Sequence, residues 1–124
     1  MKLFGQTNDI SMVMNSLDLH ILSSSYGEGF PNVVAEAMAC GTPCVVTQVG
    51  DSSLIVGKTG WVVPPKNPVR LSKAIENALN ERDTPKWKNR CKMARLRIEE
   101  NFSITAMLNL YFKYWQRVYR NKLK

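Results

Sequence analysis

The chain has 124 residues, of which 44% are hydrophobic and 22% charged, a balance typical of one folded soluble domain and not of a disordered segment. No apolar run approaches the roughly 18 residues needed to span a bilayer, and no signal-peptide-like stretch opens the chain, so we expect a cytoplasmic protein. The net charge of +7 is concentrated in residues 86–124, which hold eleven of the 17 Lys and Arg but two of the ten Asp and Glu. This basic end predicts solvated helix faces or, as a second interpretation, contact with a polyanion or a membrane surface.

The three cysteines, Cys40, Cys44 and Cys91, are an odd number and lie in a chain without an export signal. Both facts favour reduced, mostly buried thiols over disulfides. With His20 as the only histidine, the sequence offers too few ligands for a four-coordinate zinc, and we expect no bound metal.

The first half of the chain alternates apolar runs with helical patterns. The end of a strand is predicted at residues 3–4, a helix at 10–17 with Asn8 or Asp9 as its N-cap, and a buried strand at 19–22. Pro31 is placed to begin a second helix and Gly41 to end it. Two more buried strands are predicted at 43–47 and 61–63, with only turns at Gly50, Gly57 and Gly60 between them.

The second half is predicted to be helical. Asn67-Pro68 and Thr84-Pro85 begin the third and fourth helices, and Ser103 caps a fifth, whose apolar positions from 107 to 118 should point inward. Trp87 and Trp115 are interpreted as packing residues on two of these helices. Strands that read as continuous apolar runs and alternate with helices predict an α/β fold with a parallel sheet.

The most informative stretch is residues 25–43, where a loop leaves the carboxyl end of a strand and enters a helix. In open α/β sheets ligands bind at such places. Free N–H groups near Asn32, Val33 and Val34, together with the helix dipole, would suit a diphosphate. Glu28 in the loop and Glu36 in the helix could accept hydrogen bonds from sugar and ribose hydroxyls on either side of it.

The spacing alone leaves other interpretations open. Glu28 could satisfy loop amides and Glu36 could be a solvated helix residue. A glycoside hydrolase with two carboxylates also fits, since side-chain reach could bring the groups to about 5–10 Å from each other.

The residues from Glu28 to Gly41 resemble the Glu-x7-Glu segment of the retaining glycosyltransferases of GT-B fold, the glycosyl transferases group 1 family. Both halves of the segment, Glu28-Gly29-Phe30-Pro31 and 36–43, have the residues that are usual in that family. Further matching pieces appear in the expected order at 3–5, 18–24, 49–51, 59–65 and 102–103. The resemblance therefore extends over the whole chain, except that Leu54 stands where the family commonly has a glutamate, and we leave Asp51 without a role.

The resemblance implies a role for each residue of the segment. Glu36 would bind the ribose hydroxyls, and Glu28 would lie beside the donor sugar and the reaction centre as the catalytic residue. The nucleotide-sugar site implied in this way comprises Glu28, Gly29, Phe30, Pro31, Asn32, Val33 and Glu36. Transfer would proceed with retention of configuration, without a metal or other cofactor, and the helix N-terminus would stabilise the departing diphosphate.

By the same resemblance, residues 1–85 form an incomplete Rossmann-like core of a C-terminal donor domain, and residues 86–124 form basic C-terminal helices that pack on it. An acceptor domain and the opening strands of the donor domain have no room in 124 residues. We therefore expect part of a larger enzyme, inactive by itself. The family's habits suggest a UDP-linked hexose or N-acetylhexosamine as the donor and a glycan or lipid-linked acceptor, in polysaccharide or lipopolysaccharide synthesis, with peripheral contact at the inner face of the membrane.

Two further expectations concern partners. A non-catalytic basic module that binds nucleic acid or a membrane is the alternative function, but the chain lacks aromatic ladders or groove-reading motifs, and nucleic acid is not expected as a partner. Self-association is expected, because the strand at 3–4 would be an open sheet edge and the last helix carries a large apolar stripe. The stripe comprises Tyr111, Tyr114, Trp115, Val118 and Tyr119.

Overall fold

The computed structural model describes residues 3 and 5–122 of the chain, which form an α/β fold with a long C-terminal helix. The strands are β1 (His20–Leu22), β2 (Cys44–Thr47) and β3 (Trp61–Val63). The helices are α1 (Ile10–Asn15), α2 (Asn32–Ala39), α3 (Ser52–Val56), α4 (Pro68–Glu81), α5 (Pro85–Asn101) and α6 (Ile104–Lys122). Each pair of neighbouring strands is joined through a helix, as a parallel sheet requires.

The sheet is parallel with the order β1-β2-β3, and His20 is aligned with Cys44 and Val45 with Trp61. All four residues of β2 are buried, as expected of a central strand covered on both faces. On one face Cys44 and Val46 pack with residues of α1, α2, α3 and α5, and on the other Val45 packs against α4. The predicted α/β class and parallel sheet are confirmed.

Side-chain caps set where most of the helices begin. The side chains of Asp9, Asn67, Thr84 and Ser103 each accept a hydrogen bond from the backbone N–H three residues later. Prolines at the first position of α4 and α5 reinforce two of these starts. These caps were all predicted from the sequence, with Asp9 one of two candidates for its helix.

Two expectations about the elements were wrong, and a third was wrong at one of its two residues. Leu3 is exposed and belongs to no strand, while Phe4 lies outside the described residues; among the described residues β1 forms the sheet edge. The turn expected after Gly50 contains a short helix, α3. Pro31 is the N-cap of α2 and not its first residue.

The greatest difference concerns α6, whose apolar side chains were expected to point inward. None of its residues is buried, and Trp115 is 69% exposed. Only the first turn approaches the rest of the fold, where Ala106 is half-buried. Trp115 is therefore not a packing residue within this chain, whereas Trp87 is half-buried against the cluster that Val45 forms with α4.

The remaining observations concern His20, the cysteines and the basic residues of α5. His20 is half-buried in β1, and burial lowers the pKa of its imidazole from the ordinary 6.5. The cysteines are free thiols, and Cys44 is fully buried. In α5, Arg90 and Arg97 do not belong to a solvated face: Arg90 binds Glu81 at 2.8 Å and Arg97 donates to the carbonyl of Ile55 at 2.7 Å.

Candidate functional site

The candidate site lies where the loops after β1 and β2 meet. The two strands are parallel neighbours, so their carboxyl ends, Leu22 and Thr47, are at the same edge of the sheet. The loop of residues 23–30 follows β1 and leads into α2, and the loop of residues 48–51 follows β2 and leads into α3. Adjacent loops at the carboxyl edge of a parallel sheet form the usual ligand site of such folds.

The two loops are bound to each other through their backbones. The N–H of Asp51 donates to the carbonyl of Gly29 at 2.9 Å. Gly50 has a φ of +54°, and a Cβ added to it would lie 2.3 Å from the carbonyl oxygen of Glu28. Only a glycine therefore allows this close approach, and the position of the Glu28 backbone depends on residue 50.

The side chain of Glu28 is held by the same loop. Its Oε1 accepts a hydrogen bond of 2.6 Å from the hydroxyl of Ser24. The carbonyl of Ser24 in turn accepts a 2.6 Å hydrogen bond from the hydroxyl of Thr47, which is buried at the end of β2. Thr47, Ser24 and Glu28 thus form a chain that leads from the sheet to a half-buried carboxylate.

The N-terminus of α2 presents unused donors beside this carboxylate. No hydrogen bond within the described part of the chain engages the N–H of Asn32 or Val33, and both residues are exposed. The N–H of Val34 donates to the carbonyl of Pro31 at 3.0 Å, so the expectation of a third free amide was wrong. Two free amides and the positive end of the helix dipole favour an anionic group at this point.

The other predicted site residues surround these amides. Glu36 is exposed on α2, about 6 Å along the helix axis from Asn32 at 1.5 Å per residue. Gly29 is exposed, with open space around its Cα. Pro31 is buried, and Phe30 packs its ring on Phe102 with the centroids 5.7 Å apart, so these two residues hold the loop in place.

The structure brings four more residues to the site that the sequence interpretation had not assigned to it. Ser24 and Thr47 orient Glu28, while Gly50 and Asp51 hold the backbone of the loop. Gly50 and Asp51 belong to the segment 49–51, which resembles the family. The glycine at position 50 was the sequence signal that the two loop backbones approach each other closely. Leu54, at the position of the family's glutamate, is 56% exposed on α3 and brings no carboxylate there.

The described residues contain no helix that is both long and apolar enough to cross a membrane. Four of the six basic residues of α5 are engaged with other groups of the fold. Lys86, Arg90, Arg95 and Arg97 bind carboxylates or carbonyl oxygens, and Lys88 and Lys92 are exposed.

Comparison with known proteins places the chain in a family. Residues 1–81 match the model of the family described as "Glycosyl transferases group 1". The chain is 29% identical over 114 residues to the Vi polysaccharide biosynthesis protein VipC/TviE of Salmonella typhi. The aligned region covers 88% of the chain and 19% of that protein. It is 30% identical over 107 residues to the putative colanic acid biosynthesis glycosyltransferase WcaL of Escherichia coli K12, covering 81% of the chain and 26% of that protein.

A crystal structure agrees in fold. The glycosyltransferase of Rickettsia africae superposes on 97% of the chain with a TM-score of 0.85 and 24% identity, and the match covers 32% of that protein. The chain thus spans between 19% and 32% of the length of these three proteins.

Proposed function

The chain belongs to the glycosyl transferases group 1 family, and on that premise we propose that it forms the site for the nucleotide-sugar donor of a glycosyltransferase. One observation carries the proposal: the amides of Asn32 and Val33 are free at the N-terminus of α2, with Glu28 in the loop before them and Glu36 one turn into the helix. A nucleotide sugar has the same sequence of groups, a sugar and a ribose rich in hydroxyls with a diphosphate between them.

Each group of the site takes one part of the donor. The amides and the dipole of α2 bind the diphosphate and stabilise the negative charge that develops on it as the glycosidic bond breaks. Glu36 accepts hydrogen bonds from the ribose, and Glu28, oriented by Ser24, acts at the donor sugar. Gly29 leaves room for the sugar, while Phe30 and Pro31 support the loop from behind.

For the substrates we propose a UDP-linked hexose or N-acetylhexosamine as the donor and a glycan or lipid-linked glycan as the acceptor. The glycan acceptor is supported by two relatives, one named as a Vi polysaccharide biosynthesis protein and one as a putative colanic acid biosynthesis glycosyltransferase. These relatives contain much additional chain, to which we assign the acceptor site. Retention of configuration and transfer without a bound metal or other cofactor complete the proposal, and NMR of the product anomer would test retention.

Binding to the chain itself tests the donor role most directly. A titration of the ¹⁵N-labelled chain with UDP-glucose, UDP-N-acetylglucosamine, GDP-mannose and ADP-glucose should move the amide signals of Asn32 and Val33 with the UDP sugars. A response to GDP- or ADP-sugars alone would contradict the choice of UDP. If no nucleotide sugar moves these signals at millimolar concentration, the chain has no donor site.

A peripheral contact with an anionic membrane at the cytoplasmic face is the second part of the proposal. It is supported by the exposed Lys88 and Lys92 of α5 and by the basic charge of residues 86–124. Cosedimentation with phosphatidylglycerol vesicles, compared with neutral vesicles, should be lost when both lysines are changed to Glu. Equal binding to both kinds of vesicle would contradict it.

A further inference from the structure

The guanidinium of Arg97, on α5, binds the C-terminal end of the short helix α3. Its Nε donates a hydrogen bond of 2.7 Å to the carbonyl of Ile55, and its Nη2 donates one of 2.6 Å to the carbonyl of Leu54. The last carbonyls of a helix have no partner within the helix, and they carry the negative end of its dipole. A half-buried cation at this point therefore stabilises α3, which has only five residues.

The backbone after α3 leaves room for this side chain. Gly57, which follows the last residue of α3, has a φ of +55°, and a Cβ added to it would lie 2.5 Å from Cζ of Arg97. The guanidinium thus packs directly against the backbone, at a position where any other residue would displace it. The ion pairs of the described residues do not include Arg97, so its contacts with backbone oxygens and with a neighbouring ring, that of Phe102, determine where it lies.

Helix α3 connects this contact to the candidate site. Its N-cap is Asp51, whose N–H donates to the carbonyl of Gly29, the residue after Glu28. At 1.5 Å per residue the five residues of α3 extend over only about 7.5 Å, a distance at which the two ends of a helix move together. Arg97 therefore holds one end of α3, and the other end holds the backbone of the loop that carries Glu28.

Arg97 is connected to the same loop a second time, through two aromatic rings. Its Cζ lies 5.9 Å from the ring centroid of Phe102, and that ring packs on Phe30 with the centroids 5.7 Å apart. Both kinds of contact, cation on ring and ring on tilted ring, are favourable. Phe30 directly follows Gly29 in the sequence. The two connections from Arg97 thus end at adjacent residues of the site loop.

We propose that Arg97 is a positioning residue for the donor site. It holds Gly29 and Phe30, which separate Glu28 from the N-terminus of α2, in the geometry that a nucleotide sugar requires. The inference rests on the donor role proposed above. A small displacement of a loop weakens several of its contacts with a ligand at once, so a site depends on the residues that support it from behind. Arg97 acts through α3 and Phe102 and does not itself bind the donor.

Titration of the ¹⁵N-labelled 124-residue chain with UDP-glucose tests this role. Arg97→Gln should raise the Kd about fivefold, an effect typical of a residue that supports a site without touching the ligand. It should also shift the amide signals of Asn32 and Val33 before any ligand is added. The matched control is Arg90→Gln, the same change on the same helix. Arg90 binds Glu81, away from both loops, so this variant should lose stability but change the Kd by less than about twofold.

Two milder variants distinguish positioning from general stability and keep the test decisive if Arg97→Gln does not fold. Arg97→Lys should give a Kd between those of the wild type and Arg97→Gln, because a lysine lacks the planar fork that binds two carbonyls. Phe102→Leu keeps an apolar side chain but removes the ring between Arg97 and Phe30, and should raise the Kd about twofold to threefold.

The outcomes separate this inference from the proposed function. A wild-type chain that binds UDP-glucose with a Kd unchanged by Arg97→Gln and by Phe102→Leu would overturn the positioning role and leave the donor site in place. A rise in Kd that is as large for Arg90→Gln as for Arg97→Gln would overturn it as well, since the effect would then follow stability alone. A wild-type chain that binds no nucleotide sugar would instead contradict the proposed function, and with it the inference.

Discussion

The backbone N–H of Asp51 donates a hydrogen bond of 2.9 Å to the carbonyl of Gly29, which joins the loop after β2 to the loop that carries Glu28. The contact depends on the residue immediately before Asp51. Gly50 lies so close to the Glu28 and Gly29 carbonyls that no side chain fits there. The candidate site is thus a product of two loops whose bonded residues, Gly29 and Asp51, are 22 positions apart in the sequence.

Gly50→Ala should lower the free energy of unfolding by about 2–3 kcal/mol, because it adds both a backbone clash and a strained positive φ. Gly29→Ala is the control: Gly29 has a negative φ and nothing within 4 Å of an added Cβ, so its stability should change by less than about 0.5 kcal/mol. Urea denaturation measures both. Equal stability of the two variants would mean that the loops are not packed as described.

Ser24→Ala should weaken binding of a UDP sugar about fivefold, the effect of about 1 kcal/mol for one lost hydrogen bond, because the Glu28 carboxylate loses its orienting donor. Ser24→Thr keeps the hydroxyl and should restore most of the affinity. Ser25→Ala removes an exposed hydroxyl next to it and serves as the control. If calorimetry finds the same UDP-sugar affinity for Ser24→Ala and Ser25→Ala, the Ser24 hydroxyl does not orient Glu28 for binding.

Glu36→Ala should reduce donor affinity by about 1.5–3 kcal/mol, since a charged acceptor for the ribose hydroxyls is lost. Glu76→Ala provides a matched change on α4, a helix on the opposite face of the sheet, and should leave affinity unchanged. Isothermal titration with UDP-glucose distinguishes the two. An unchanged affinity for Glu36→Ala would show that the ribose is bound elsewhere.

The ion pair between Arg90 and Glu81 should make stability dependent on acid pH. Two hydrogen bonds from Arg90 hold the pKa of the Glu81 carboxyl below its ordinary value of 4.5. A carboxyl with a lowered pKa in the folded state stabilises the protein above pH 4.5, and this contribution is lost as the pH falls through the folded-state pKa. The midpoint temperature of thermal unfolding, measured between pH 7 and pH 3, should therefore fall as the pH drops below 4.5.

Arg90→Ala should remove that part of the pH dependence and cost about 2–3 kcal/mol at pH 7, because Arg90 also donates to the Thr59 carbonyl and stacks on Trp61 at 4.1 Å. Arg95→Ala breaks an exposed pair with Glu99 and should cost about 0.5 kcal/mol or less. Similar losses for the two variants at pH 7 would contradict the structural role of Arg90.

Cys44 should resist alkylation in the folded protein. Burial raises the pKa of its thiol to about 12, so almost no thiolate exists at pH 8. Cys40 and Cys91 are partly exposed and should react with iodoacetamide first, while Cys44 reacts only after denaturation. Peptide mass spectrometry follows each cysteine separately. Modification of native Cys44 at the rate of Cys91 would mean that β2 is not the central strand.

The sequence alone predicted the elements whose signals are local. Asp9, Asn67, Thr84 and Ser103 cap helices within the next three residues, and the apolar run at β2 is long enough to indicate a buried strand. Helix α3 was not predicted because it has only five residues between two glycines, too few to display a helical period. The family motif supplied the residues of the candidate site.

Tertiary structure decided what those residues contact. The hydrogen bond from Ser24 to Glu28, the approach of Gly50 and the engagement of Arg90 and Arg97 join groups through space, and no local pattern encodes the relative positions of the loops and helices. The same limit explains α6. A helical stripe of apolar residues predicts that something covers it, but whether the cover comes from the same chain depends on packing, and in this fold α6 leaves the core after its first turn.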